Sequence, residues 1–119
     1  MKINVIDKNR LLDQEAVHQL EARLFGGFAR FGQDVLSVTA SVAASDRFRD
    51  GIEHRCSVVL RLRKMPAVVV AVTSASLSSA INEALRRSER TLMRRVRRRR
   101  QRRYQVKPQW KWKPELGLE

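Results

Sequence analysis

Two stretches of this chain alternate, and that period most constrains how it can fold. Val35 to Ala44 sets Leu36, Val38, Ala40 and Val42 against Ser37, Thr39 and Ser41. From Ile52 to Arg63 the pattern returns: Ile52, His54, Cys56, Val58, Leu60 and Leu62 fall on one side, Glu53, Arg55, Ser57, Arg61 and Arg63 on the other. A period of two belongs to a strand, and an apolar side opposite a polar one belongs to a sheet buried on one face only. Ser45 to Gly51 between them is polar and ends in the turn pair Asp50-Gly51, which predicts a loop joining antiparallel neighbours. Lys64-Met65-Pro66 is a tight connection, and the β-branched run Ala67 to Thr73 supplies a further antiparallel strand.

Helical periodicity brackets these strands. A short first strand, Lys2 to Ile6, points Ile3 and Val5 the same way, and Asp13 then stands as an N-cap whose carboxylate accepts from free amides of a first turn. Val17, Leu20, Leu24, Phe28 and Phe31 recur every three or four residues, which predicts a helix over about 14–31. Gly26-Gly27 weakens it by roughly 1 kcal/mol per glycine relative to alanine, but the stripe keeps its phase, so one helix is expected and not two. Beyond a serine-rich start, Ser74 to Ser79, a second stripe runs through Leu77, Ile81, Leu85, Leu92 and Val96, with small Ala84 and Ser88 in its seam. The expected order is β-α-β-β-β-α: an α+β fold, a four-stranded sheet with two helices packed on one face. Residues 1–103 form the expected domain. Pro108 and Pro114 mark 104–119 as a flexible, non-helical Trp/Lys/Pro tail.

The charge is uneven. Residues 1–75 hold 11 Lys/Arg against 8 Asp/Glu, a net of +3, while residues 76–119 hold 14 against 4, a net of +10. A globular body with a strongly basic appendage favours a polyanionic partner, either nucleic acid or an anionic membrane surface. At 119 residues and 43% hydrophobic content the chain suffices for one cored domain. Its start, with Lys2, Asp7, Lys8 and Arg10, has no apolar secretory core, and no apolar run approaches the ~20 residues of a membrane span. A cytoplasmic monomer is the simplest expectation.

Arg87, Arg90, Arg94 and Arg98 fall on one side of the second helix, roughly opposite Ile81, Leu85 and Leu92. Arginine suits phosphate because its planar fork gives two parallel hydrogen bonds and never loses its charge. A merely solvated face mixes signs, whereas Glu89 is the only acid between residues 84 and 114. The candidate RNA-binding set is therefore Arg87, Arg90, Arg94, Arg95, Arg98 and Arg102, joined by Arg23 on the first helix. Beyond Val96 the arginines become an undirected run suited to non-specific affinity. Arg30, Arg55, Arg61 and Arg63 add charge elsewhere, and Arg61 and Arg63 on the sheet serve solubility or binding equally well. Arg47-Phe48-Arg49 is a loop tip or a base-stacking site. The Trp110-Lys111-Trp112 tail can stack on single-stranded RNA, cover the bare sheet face or stay unfolded.

Nothing in the chain points to catalysis. Cys56 is the only cysteine, so no internal disulfide or cysteine cluster can form. His54 and Cys56 share a strand face without a third group to orient them, and a lone cysteine on an apolar face is usually core. No nucleophile elbow or phosphate-binding glycine loop occurs. We expect a protein that is not an enzyme and needs no cofactor or metal, with no small-molecule substrate and no membrane partner.

The β-α-β-β-β-α order with a basic last helix resembles the ribosome hibernation promoting factor family, which includes the ribosome-associated inhibitor A proteins. The resemblance covers residues 1 to about 103 and is most specific at Ala80-Ile81 and the following Arg87, Arg90, Leu92, Arg94 and Arg98; Arg23 stands where the family usually carries a lysine. Ser76, Ser78 and Asn82 depart from the acid, aromatic and acid usual there, and the second, dimerising domain of the long forms has no counterpart in this chain. The resemblance implies a short-form stress-response factor that occupies the tRNA and mRNA channel of the small ribosomal subunit and inhibits translation. The alternative is a double-stranded RNA-binding module not specific to the ribosome, which would read RNA by shape across a groove. A membrane-surface or scaffold protein would need apolar residues bordering the basic face, and the arginine side of 87–98 lacks them.

Overall fold

The computed structural model describes residues 1–48 and 51–112, with side chains described for 1–45 and 51–101. In chain order the elements are β1 (Lys2–Asp7), α1 (Gln14–Phe28) followed by a 3-10 turn (Ala29–Phe31), β2 (Val35–Phe48), β3 (Gly51–Leu62), β4 (Val68–Ser74) and α2 (Leu77–Trp112). The β-α-β-β-β-α order and the α+β class are as the patterning predicts. The chain falls into two compact units, Met1–Glu89 and the segment from Arg90 onward, so the division lies within α2.

The first unit holds a mixed four-stranded sheet in the order β1-β2-β3-β4. β2, β3 and β4 are antiparallel neighbours, while β1 runs parallel to β2, with Ile3 level with Val38 and Val5 with Ala40. A parallel neighbour needs a crossover, and α1 supplies it. One sheet face is buried: Val38, Ala40 and Val42 of β2, Cys56, Val58, Leu60 and Leu62 of β3, Val68 and Val72 of β4. The alternating partners Arg55, Arg61, Val69, Ala71 and Thr73 are exposed. Leu20, Leu24 and Phe28 of α1, and Ala80, Ile81, Ala84 and Leu85 of α2, complete the core over that single buried face.

Local chemistry places the helices. Asp7 accepts from the backbone N–H groups of Leu11 (2.8 Å) and Leu12 (2.7 Å), turning the chain out of β1. Asp13 then caps α1 by accepting from Ala16 N at 2.7 Å, the cap that its position predicts. At the start of α2, Ser79 N donates to Ser76 Oγ at 3.3 Å and Ala80 N to the Ser76 carbonyl at 3.0 Å. Ser88 sits in the apolar seam fully buried, its hydroxyl bonded to the carbonyls of Ala84 (2.9 Å) and Leu85 (3.0 Å), so its burial leaves no polar group unsatisfied.

Several boundaries differ from expectation. The polar stretch read as a loop from Ser45 continues β2 to Phe48, and β3 begins at Gly51, with Ser45 level with Glu53 and Phe48 with Gly51 across a register shift. Cross-strand backbone pairing outweighs the polar composition there. Arg47 and Phe48 accordingly lie on a strand, and Arg49 lies outside the described residues. This hairpin end reaches past the last β1 and β4 partners, Val42 and His54, which is why Ile52 is 58% exposed although it shares a side with the core. α1 stops at Phe28 and tightens into the 3-10 turn, closed by Gly32 N donating to Ala29 O at 3.0 Å. α2 does not end near Arg103: it runs to Trp112 with Pro108, which offers no N–H to the helix ladder, inside that span. The part of the expected tail beyond Trp112 lies outside the described residues.

The two glycines of α1 have different roles. A Cβ at Gly27 would meet the far end of the Glu89 side chain, its carboxylate oxygen at 2.7 Å, so a side chain there would require Glu89 to move aside. A Cβ at Gly26 would meet nothing within 4 Å, and its φ is not left-handed. Gly26→Ala is therefore expected to stabilise the protein by about 0.5–1 kcal/mol through the unfolded chain, read as a rise of a few degrees in Tm.

Candidate nucleic-acid interface

The arginines expected to meet RNA are distributed over both units. In the first, Arg23 is exposed on α1 between buried Leu20 and Leu24, and Arg87 is exposed on α2. In the second, Arg90, Arg94 and Arg98 are exposed, Arg95 is half-buried, and the side chain of Arg102 lies outside the described residues. Leu92 and Val96, which fall about 200° round the helix from Arg90 and Arg94 respectively, are buried. The second unit thus has an apolar side and an arginine side, as its spacing predicts.

One arginine on the exposed side was not singled out by sequence. Arg97 is exposed, and seven residues is nearly two full turns, so it lies beside Arg90 on the arginine side. The seven-residue spacing was the available signal, hidden by the uniform arginine run. Arg90, Arg94, Arg97 and Arg98 cover about 12 Å of helix axis, over which a nucleic-acid duplex presents roughly seven phosphate charges.

Arg87 differs from the rest. Its Nε donates to Glu83 Oε2 at 2.8 Å, and Arg86 pairs with the other oxygen of the same carboxylate. Hydrogen bonds from Arg87 and then Arg86 hold the Glu83 carboxyl below the usual carboxylate range. One acid is thus shared between two guanidinium groups, and Arg87 presents less net charge than its exposure implies. The pair is solvated, so it orients Arg87 more than it stabilises the helix. Arg30 is also engaged, its guanidinium lying 4.9 Å from the centroid of the Phe31 ring. On the sheet side Arg63 Nε donates to the Gln33 carbonyl at 3.2 Å and its backbone N–H to Asp34 O at 2.8 Å, so Arg63 fastens β3 to the segment before β2. Arg55 and Arg61 remain exposed on the outer sheet face.

His54 and Cys56 are neighbours on the inner side of β3 in different surroundings. His54 Nδ1 lies 3.1 Å from the Ala75 carbonyl, an arrangement in which the ring donates and ties β3 to the start of α2. Cys56 is buried, and loss of solvent pushes its thiol up to about 11. At pH 7–9 the folded protein therefore holds a protonated, inaccessible thiol. Ellman's reagent is expected to leave the native protein unmodified over hours at pH 8 and to titrate one thiol at once in denaturant; rapid reaction of the native protein would contradict this placement.

Among the described residues no helix is long and apolar enough to cross a membrane. A scan of the chain against protein-family models found no match, and a search of curated proteins found none either.

Proposed function

We propose that this protein binds nucleic acid through the arginine side of α2 and that its target is ribosomal RNA of the small subunit. The observation that carries the reading is the pairing of exposed Arg90, Arg94, Arg97 and Arg98 with buried Leu92 and Val96 in one helical segment. Solvation alone does not require a helix side bearing four guanidinium groups and, from Arg90 to Gln101, no carboxylate. Such a surface favours a polyanion and holds phosphates by forked, charge-assisted hydrogen bonds. The choice of ribosomal RNA rests on the resemblance in element order, in Ala80-Ile81 and in the spacing of the arginine ladder. On that reading the protein acts by occupancy: it fills the tRNA and mRNA channel of idle ribosomes, inhibits translation and performs no chemistry.

Cosedimentation with ribosomal subunits at low and moderate salt tests this. The protein is expected to travel with the small subunit at about 50 mM salt and to leave it steeply towards 200 mM. Equal retention by naked duplex RNA of unrelated sequence would favour the double-stranded RNA module instead, and no retention on ribosomes at low salt would dismiss the ribosomal assignment.

A further inference from the structure

The modest positive charge of residues 1–75 is unevenly placed once they fold. The outer sheet face, turned away from α1, carries exposed Lys2, Arg55 and Arg61. Lys2 is level with Ser37 and Ser37 with Arg61, so these two cations share one row, two strands or about 10 Å apart. Arg55 lies six residues back along β3, roughly 20 Å from Arg61, and level with Thr73. Among the described residues none of the three takes part in an ion pair. The acids go elsewhere. Asp7 and Asp13 accept from backbone N–H groups before and at the start of α1, and Glu15 and Glu21 lie on α1. Of the described side chains, Glu53 is the one acid at an outward strand position, and it stands beyond Arg55 towards the hairpin end. The rest of the face is low and rich in hydroxyls, from Ser37, Thr39, Ser41, Ser57 and Thr73, and its larger apolar members are Ile6, Val59 and Val69. No aromatic residue occupies an outward position there among the described residues.

We infer that this face is a second nucleic-acid surface and that it takes the backbone of an RNA helix, with phosphates on Lys2, Arg55 and Arg61 and ribose hydroxyls on the serines and threonines. The inference rests on the reading of RNA as the partner, but not on α2 as the element that binds it. Cations unanswered by acids select a polyanion, whereas a face that is merely solvated mixes signs. A single strand is held by aromatic side chains that stack on its bases, and this face offers none. An anionic membrane is entered by Trp, Phe and Leu side chains, which the face also lacks. An RNA helix suits it. Its wide, shallow minor groove displays 2′-hydroxyls and is recognised by shape and by contacts to those hydroxyls and the phosphates. Serine and threonine hydroxyls both donate and accept, so they match the 2′-hydroxyl, and their short side chains let the groove come close. The protein then has two RNA contacts on different elements, and loss of either one weakens binding without abolishing it.

Titration of a labelled RNA duplex of mixed sequence with the full chain, followed by fluorescence anisotropy over a range of salt, tests this. Arg55→Gln with Arg61→Gln is expected to weaken binding about a hundredfold at low salt, tenfold for each charge-assisted contact, and to lower the slope of log K against log salt by about 2. Lys8→Gln with Arg10→Gln removes the same charge from exposed positions beyond the outer face and is expected to change both quantities far less. All four side chains are exposed, so neither pair disturbs the core. On single-stranded RNA of the same length, the Arg55 and Arg61 pair is expected to cost much less than on the duplex. In the unsubstituted chain the duplex is expected to shift the amide resonances of Ser57 and Val59, a readout independent of any variant. An Arg55 and Arg61 pair that behaves like the Lys8 and Arg10 control, an equal loss on single strands, or Ser57 and Val59 resonances indifferent to the duplex would each overturn the proposal. Glutamine at Arg90, Arg94 and Arg98 separates its failure from that of the α2 reading. A loss from that triple change with none from the Arg55 and Arg61 pair removes the sheet surface alone, the reverse removes α2 alone, and an unsubstituted chain that ignores RNA removes both.

Discussion

Replacing Arg90, Arg94 and Arg98 together by glutamine should weaken binding to small-subunit RNA by about a thousandfold at low salt. The figure follows from about tenfold, or ~1.4 kcal/mol, for each charge-assisted contact to phosphate, summed over three positions acting separately. The same change should lower the slope of log K against log salt by about 2–3, because three counterion-releasing contacts are lost. Glutamine matches arginine in helix propensity, so circular dichroism should show α2 intact. The informative control is Arg86→Gln with Arg87→Gln. These residues share the Glu83 carboxylate, so part of their charge is already neutralised within the protein. Their loss should change the slope by less than that of any two residues from the Arg90, Arg94 and Arg98 set. Unchanged affinity and slope in the triple variant would remove α2 as the binding element; equal effects from the two sets would show that Glu83 does not hold Arg86 and Arg87 back.

Phe28→Ala should be the most damaging single substitution in the first unit. Phe28 is the largest fully buried side chain of the core, closing α1 over the sheet at the junction with the 3-10 turn. Deleting a buried phenyl ring costs about 3–5 kcal/mol, of the same order as the whole stability of a domain this size. Thermal unfolding should shift down by roughly 15–30 °C, and a substantial unfolded population should appear under mild conditions. Phe25, one turn earlier, provides the contrast: it is 56% exposed, and Phe25→Ala should cost well under 1 kcal/mol. Similar losses at the two positions would mean that α1 is rotated from the orientation described.

Much of the fold was legible in particular residues. The alternation in β2 and β3 places Val38, Val42, Cys56, Val58 and Leu60 on the buried face, as a strand's period of two predicts, but it misplaces Leu36: a register shift between Val35 and Ser37 buries Val35 and leaves Leu36 45% exposed. The stripes Leu20-Leu24-Phe28 and Ile81-Leu85-Leu92-Val96 are buried as spaced, and Asp13 caps α1 as its position predicts. The reading failed where backbone pairing between distant residues decided the matter. Polar Ser45 belongs to a strand because Glu53 pairs with it, and composition carries no record of that partner.

The candidate interface divides the same way. Sequence determined that α2 has an apolar side and an arginine side, because helical phase is a property of consecutive residues and needs no knowledge of the remaining chain. Tertiary structure decided that β1 lies parallel to β2, that Gly27 faces Glu89, that Arg63 is fastened to Gln33, and that among the described residues β4 has β3 as its one strand partner. These are relations between residues far apart along the chain, set by which faces pack and which strands neighbour one another. Periodicity specifies each element's faces, and it leaves open what those faces and edges will meet.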